Sequence, residues 1–192
     1  MKSLNYGIDL FQGYLFAHPS ADAPDRQDIL ETIQHVGYKH RYYLESITKQ
    51  KNNFYLEASD ISQKIISMIN TIEIAKNKEI LELIKQEKKI EALYLIDAEE
   101  SKQVGETIFL AEQKSFYEPS ADGEDHSLKE YFYICKNSID GKFISEKYIS
   151  SASGNMCRTF TRKFSYDDKE LILCLDLYLS SQSDRRLVEK NT

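Results

Sequence analysis

Tryptophan is absent from this chain, and proline, glycine and cysteine are scarce: three, seven and three among 192 residues. Each shortage excludes something. Few prolines and glycines beside 41% hydrophobic content exclude a fibrous or wholly disordered chain. Three cysteines, Cys135, Cys157 and Cys174, are too few for a disulfide framework and too widely spaced for a compact zinc motif. Two of them stand in apolar, strand-like runs, so they read as buried thiols of a reducing cytoplasm. Basic charge is short as well. A net charge of -6 argues against a nucleic-acid module, which presents a basic face. No apolar run reaches membrane-spanning length, and the N-terminus lacks the basic-then-apolar order of a secretory signal. The expectation is a cytoplasmic protein with no nucleic-acid or membrane partner.

Catalytic signatures are missing too. There is no G-x-S-x-G, no P-loop and no H-E-x-x-H. His18, His35, His40 and His126 are scattered, and acidic pairs such as Glu99-Glu100 and Asp167-Asp168 read as solvated loops. No catalytic residue, metal ligand set or cofactor is expected, and the chain is read as a non-enzyme.

What is present is a change of grammar along the chain. Residues 8–18 are strand-like, and PSADAPD (19–25) is a linker. Then Ile29, Ile33, Val36, His40, Tyr43 and Ile47 follow a 4-3-4-3-4 spacing, which puts them on one helix face. Asp25 is a candidate cap, with Asp28 in the first turn. The spacing resumes at Phe54, Ala58, Ile61, Ile65, Met68, Ile72 and Ala75. One long helix over about 27–75 is preferred, and two helices with a kink near Asn52 are the alternative. One helix would run roughly 70 Å at about 1.5 Å per residue. A stripe that long exceeds what a domain of about 100 residues covers, so part of it is expected to meet a second copy. An antiparallel hairpin within one chain would satisfy the same stripe.

From residue 91 the pattern is that of a sheet. ALYLID (92–97) is a strand, after a short helix at KEILELIKQEK (78–88). VGETIFLA carries a loop and a short element, EPSADGEDHS (118–127) is a loop, and LKEYFYICKN is helix or strand. GKFISEKYIS, NMCRTFTRKF and KELILCLDLYL are three antiparallel strands, each opening at a turn signal. The fold class is α+β: a long N-terminal helix or helices, then an antiparallel sheet.

Alternation puts Arg158, Phe160, Arg162 and Phe164 on one face of their strand, and Ile172, Cys174, Asp176 and Tyr178 on one face of the next. Asp176 is the odd member, because a buried carboxylate must be paired or hydrogen-bonded. Arg158 is its candidate partner. The two form either a structural pair or a pocket for a small polar ligand, with Asp176 accepting from an amine or Arg158 gripping a carboxylate. Tyr131, Tyr133 and Tyr148 are candidate walls, and YISSASGN (148–155) offers hydroxyls and backbone N–H groups nearby.

Two resemblances add to this. Gly7, Asp9, Gln12, Gly13, Tyr14, Leu15, Phe16 and Pro19 resemble the C-terminal end of EAL-type cyclic-di-GMP phosphodiesterase domains, where this stretch is the last barrel strand. The family's Glu-Ala-Leu segment and its metal-binding carboxylates are absent. The resemblance implies a downstream part of a longer phosphodiesterase, without that activity itself. Residues 92–178 resemble the PAS-like sensor fold of the Cache (PDC) type. HSLKEYFY matches its cavity-lining segment at Lys129, Tyr131 and Tyr133. KYISSASGNMCRTFTRKF resembles its Y-x-S-x-x-T-G-x-x-C-x-T pattern, which covers Tyr148 and Ser150, with Ser153 where threonine is common. LILCLDL matches the closing strand with its Asp176. The implied ligand-binding set is Lys129, Tyr131, Tyr133, Tyr148, Ser150, Arg158 and Asp176.

The implied organisation is an EAL remnant at 1–19, a linker at 20–26, a dimerisation and signalling helix at 27–76, a Cache sensor at 77–180 and a flexible tail at 181–192. The implied role is regulation of an attached cyclic-di-GMP phosphodiesterase by a small molecule, as a homodimer. The alternative is a structural dimerisation module that binds no ligand.

Overall fold

The computed structural model describes residues 25–71, 73–110 and 117–179; the EAL-like stretch at 1–19 and the tail at 181–192 lie outside the described residues. The chain divides into two compact units, Met1–Phe54 and Tyr55–Thr192.

Helix α1, Arg26–Met68, is continuous for 43 residues, through the polar stretch near Asn52 where a kink was the alternative. Asp25 opens it as expected, its Oδ1 accepting from the Gln27 N–H at 2.7 Å. In the first unit α1 has no buried residue; its four buried residues, Ala58, Ile61, Ser62 and Ile65, all belong to the second.

The helix ends at Met68, short of residue 75. The stop is built by Asn77. Its Nδ2 donates to the Met68 carbonyl at 2.8 Å, while its Oδ1 accepts from the N–H groups of Glu79 and Ile80. One amide thus covers an orphan carbonyl of α1 and two orphan donors of α2, Lys78–Gln86. A short 3-10 turn, Ile74–Lys76, lies between them.

Six antiparallel strands follow in the order β2-β1-β6-β5-β3, with β4 also on β5. They are β1, Ile90–Asp97; β2, Gln103–Phe109; β3, Lys142–Ile144; β4, Tyr148–Ile149; β5, Met156–Tyr166; and β6, Lys169–Tyr178. VGETIFLA is therefore largely strand β2, paired along β1, rather than a loop with a short element. GKFISEKYIS is two short strands, because the chain leaves the ladder at Ser145, whose hydroxyl accepts from the Thr159 N–H. The ambiguous LKEYFYICKN contains helix α3, Glu130–Asn137.

β1 is buried along its whole length and β6 along most of its own, as central strands should be. Phe160 and Arg162 of β5 face α1. Phe160 meets the Tyr55 ring at 5.6 Å, and the Arg162 guanidinium donates to the Ser59 carbonyl and the Ser62 hydroxyl. α3 covers the opposite face, where Phe132 and Cys135 pack with Tyr94, Ile96, Ala98, Ile172 and Cys174.

Asn77 gives the first test. Asn77→Ala should lower stability by about 1–2 kcal/mol in urea unfolding. Asn77→Asp keeps the cap of α2 but loses the bond to Met68, and should fall between Asn77→Ala and the parent. Equal losses for the two variants would mean that the bond to α1, not the cap, carries the effect.

Candidate ligand site

The site grows from the register of two strands. Residues directly opposite in an antiparallel pair share a face. β5 and β6 set Thr159 opposite Asp176 and Arg158 opposite Leu177. Asp176 therefore points to the α3 side and Arg158 to the α1 side, and the expected Arg158–Asp176 pair does not exist. Arg158 is buried beside Leu177, donates to the Ser145 carbonyl at 3.1 Å and reaches the Glu146 carboxylate at 3.7 Å.

Asp176 is met by hydroxyls instead. The Thr159 hydroxyl donates to its Oδ1 at 2.7 Å, and the Tyr148 hydroxyl lies 3.0 Å from Thr159 Oγ1 and also bonds the carboxylate. Among the described residues no lysine or arginine pairs with it. The carboxylate sits at full depth in the protein, yet Asp176 keeps accessible surface.

A second carboxylate shares this face. Between Ile90 and Ala92 the pairing of β1 with β6 shifts by one residue, and Glu91 is the extra one. Glu91 is buried, and its Oε2 accepts from the Ser153 hydroxyl at 2.9 Å, the Asn155 amide at 3.2 Å and the Cys157 thiol at 3.2 Å. It ties the turn 150–155 onto the sheet.

Toward β1 and β2 the face is lined by rings. Tyr94 stands opposite Cys174, one diagonal step from Asp176. Its hydroxyl is 3.1 Å from that of Tyr131, which is 3.0 Å from His126 Nδ1. His126 is buried, stacks on Tyr94 at 5.5 Å and sets Nε2 3.3 Å from Gln103 Oε1.

Of the residues singled out in the sequence, Asp176, Tyr148 and Tyr131 come together on this face. Lys129 is exposed at the start of α3. Tyr133 is 48% exposed on the outside of α3, edge-on to Phe132. Ser150 is buried, but in the turn, where its carbonyl accepts from the Gly154 N–H at 2.8 Å. Arg158 is on the other face. Sequence reasoning passed over Thr159, Glu91, Tyr94, His126 and Gln103. A signal existed for Glu91 alone, a charged residue near the head of a strand that is apolar from Ala92 to Ile96.

Burial governs the electrostatics. It raises Asp176 to about 6, with Glu91 adding to the rise and the Thr159 and Tyr148 bonds opposing it. It pushes the phenols of Tyr94, Tyr131 and Tyr148 well above their ordinary range. It holds His126 below its usual value, with Lys129 acting the same way and Glu124 and Asp125 against. Such an arrangement has no nucleophile poised by a base.

No protein-family model and no curated protein matches the chain. Among solved structures it is similar to the Bacillus subtilis YkuI protein, a protein with an EAL domain crystallised in complex with substrate c-di-GMP and calcium. That likeness has a TM-score of 0.59 and 21% identity, and covers 88% of this chain and 43% of YkuI. The chain thus spans less than half the length of that protein. It is also similar to the ligand-binding domain of the Pseudomonas fluorescens chemoreceptor CtaA in complex with L-alanine. There the TM-score is 0.49 at 15% identity, over 79% of this chain and 61% of that one. The likeness to YkuI shows the fold: an α+β domain with a long N-terminal helix and an antiparallel sheet. Among the described residues no helix is long and apolar enough to cross a membrane.

Asp176 carries a pH test. Folded, it holds its proton more tightly than an unfolded aspartate, whose pKa is about 3.9. Protonation therefore favours the folded state. That contribution is complete below about pH 3.9 and is lost as pH rises through about 6. The stability difference between wild type and Asp176→Asn should fall by on the order of 2 kcal/mol between pH 4 and pH 7 in urea melts. A difference independent of pH would contradict the buried, cation-free setting of this carboxylate.

Proposed function

We propose that this chain is a regulatory sensor region that binds a small cationic molecule and controls an attached cyclic-di-GMP phosphodiesterase in signal transduction. The observation that carries the sensor reading is Asp176: a deep carboxylate held by hydroxyls and, among the described residues, paired with no cation. A protein seldom keeps a buried charge whose counter-charge it does not supply. A ligand ammonium is the counter-charge this site lacks. The phosphodiesterase link is supported by the EAL-like stretch at 1–19 and by the fold shared with part of YkuI, a protein with an EAL domain.

The sensor works as a homodimer through the first part of α1. There the stripe of Ile29, Ile33, Val36, Tyr43 and Ile47 carries no buried residue, and Leu30, Ile33 and Leu44 are 41%, 51% and 44% exposed. Pairing with a second copy would remove this apolar surface from water.

A thermal-shift screen of the whole chain tests the ligand. Primary amines and amino acids should raise the melting temperature with concentration, and simple carboxylates should not. Asp176→Asn should weaken the amine response about 10- to 100-fold, the loss of one charge-assisted hydrogen bond. Tyr133→Ala, on the outside of α3, should leave it unchanged. A flat screen on refolded protein would favour the structural dimerisation module. Separately, light scattering should give a dimer mass, and the double variant Ile33→Asp with Val36→Asp should give a monomer with its sheet intact by circular dichroism.

A further inference from the structure

The protons around the rings are fixed by one amide. Gln103 Nε2 lies 3.0 Å from the Gly105 carbonyl, 3.2 Å from the Ser120 carbonyl and 2.9 Å from Thr107 Oγ1. Carbonyl oxygens only accept, so this end of the side chain is the NH2 group. Thr107 gives its own proton to the Ser120 carbonyl at 2.6 Å and so receives one from Gln103. The other end of the amide, Oε1, is an acceptor, and it faces His126 Nε2. That nitrogen must carry a proton.

The rest follows atom by atom. In a neutral imidazole protonated at Nε2, Nδ1 is a lone pair. Nδ1 faces the Tyr131 hydroxyl, which donates to it. With its proton spent, the Tyr131 oxygen accepts from Tyr94. Each phenol has one proton and both are committed. On the other side of the site the Thr159 proton goes to Asp176 and the Tyr148 proton to the same pair. Toward any third group these oxygens are acceptors only.

We propose that His126, locked by Gln103 as its Nε2–H tautomer, is the positioning residue that sets this polarity and so makes the site selective for a proton-rich cation over a carboxylate. The selectivity half rests on the sensor reading above; the tautomer half does not. The loop that holds His126 is fastened to β2 for this. The His126 N–H bonds the Ser101 carbonyl, the Gln103 N–H bonds the Glu124 carbonyl, and Asp125 bridges Lys102. Burial keeps the imidazole neutral against Glu124 and Asp125, with Lys129 on the same side as burial. If His126 were protonated, its Nδ1–H would face the Tyr131 proton, and the Tyr131–Tyr94 chain would have to reverse.

The direct test is a long-range proton–nitrogen correlation spectrum of the 15N-labelled whole chain at pH 7.5, with the His126 signal identified by its loss in His126→Asn. The expected result is one neutral imidazole protonated at Nε2 and bare at Nδ1. A proton on Nδ1, or a charged ring, overturns the proposal, and this needs no variant to fold. Gln103→Leu removes the acceptor and should release the tautomer. In the same variant the preference for propylammonium over propionate, read by thermal shift, should narrow at least tenfold. An unchanged tautomer or preference in folded Gln103→Leu overturns the role of Gln103. The Nε2–H tautomer with neither probe shifting wild-type melting supports the proton polarity and overturns the sensor reading instead.

Discussion

The register between β5 and β6 is the constraint on which the rest depends. It is set by a two-residue turn, Asp167-Asp168, with φ of 49° and 61°. Both residues sit in the left-handed region, the geometry of a tight hairpin whose twist matches its strands. Aspartate accepts that region better than most residues because its short side chain bonds locally. With the turn fixed, ten residue pairs follow, from Tyr166–Lys169 to Cys157–Tyr178. A slip of one residue would exchange every side chain between faces. Asp176 would then lie under α1 beside the arginines, and the hydroxyl-lined site would not exist.

This constraint also explains why cation and carboxylate stay apart. Arg158 and Arg162 alternate with Thr159 and Thr161 along β5, so guanidinium groups and hydroxyls are sorted to opposite sides. On the α1 side Arg162 bonds Ser59 and Ser62, and Lys142 reaches the Ser59 hydroxyl at 3.1 Å. On the α3 side Thr159 bonds Asp176. On β5 the two arginines therefore stand on the α1 side and the two threonines on the side of the candidate site, which they share with Lys163, whose Nζ donates to the Lys136 carbonyl of α3.

Much of the fold was legible in the sequence. The apolar spacing of α1, the hairpin signal at Asp167-Asp168 and the largely apolar β6 are each read from the residues, and the α+β class follows from their order. Other features were not legible, each for a definite reason. The end of α1 at Met68 depends on Asn77, nine residues away, and periodicity carries no such information. The bulge at Glu91 is invisible to a pattern of strict alternation. The pairing of Arg158 with Asp176 was inferred from charge, and only the register, which needs the turn geometry, decides it. His126 lies in a polar loop that reads as solvated, yet backbone bonds to Ser101 and from Lys129 bury it.

Carboxylates taken out of water are costly, and this face holds two, buried Glu91 and half-buried Asp176, neither paired with a cation among the described residues. Glu91 is answered by three donors on one oxygen, Ser153 and Asn155 from the turn and Cys157 from β5. Asp176 has fewer donors, an elevated pKa and residual access. The two differ in what remains unmet. Glu91 closes a turn over the sheet, whereas the partners of Asp176 are the Thr159 and Tyr148 hydroxyls and the residue is half-buried. Under the proposed sensor reading, a cation from outside the chain completes it. The proposed direction of the neighbouring protons fits that reading: with the hydroxyl protons of Thr159, Tyr148, Tyr131 and Tyr94 committed to described partners, these oxygens remain as acceptors.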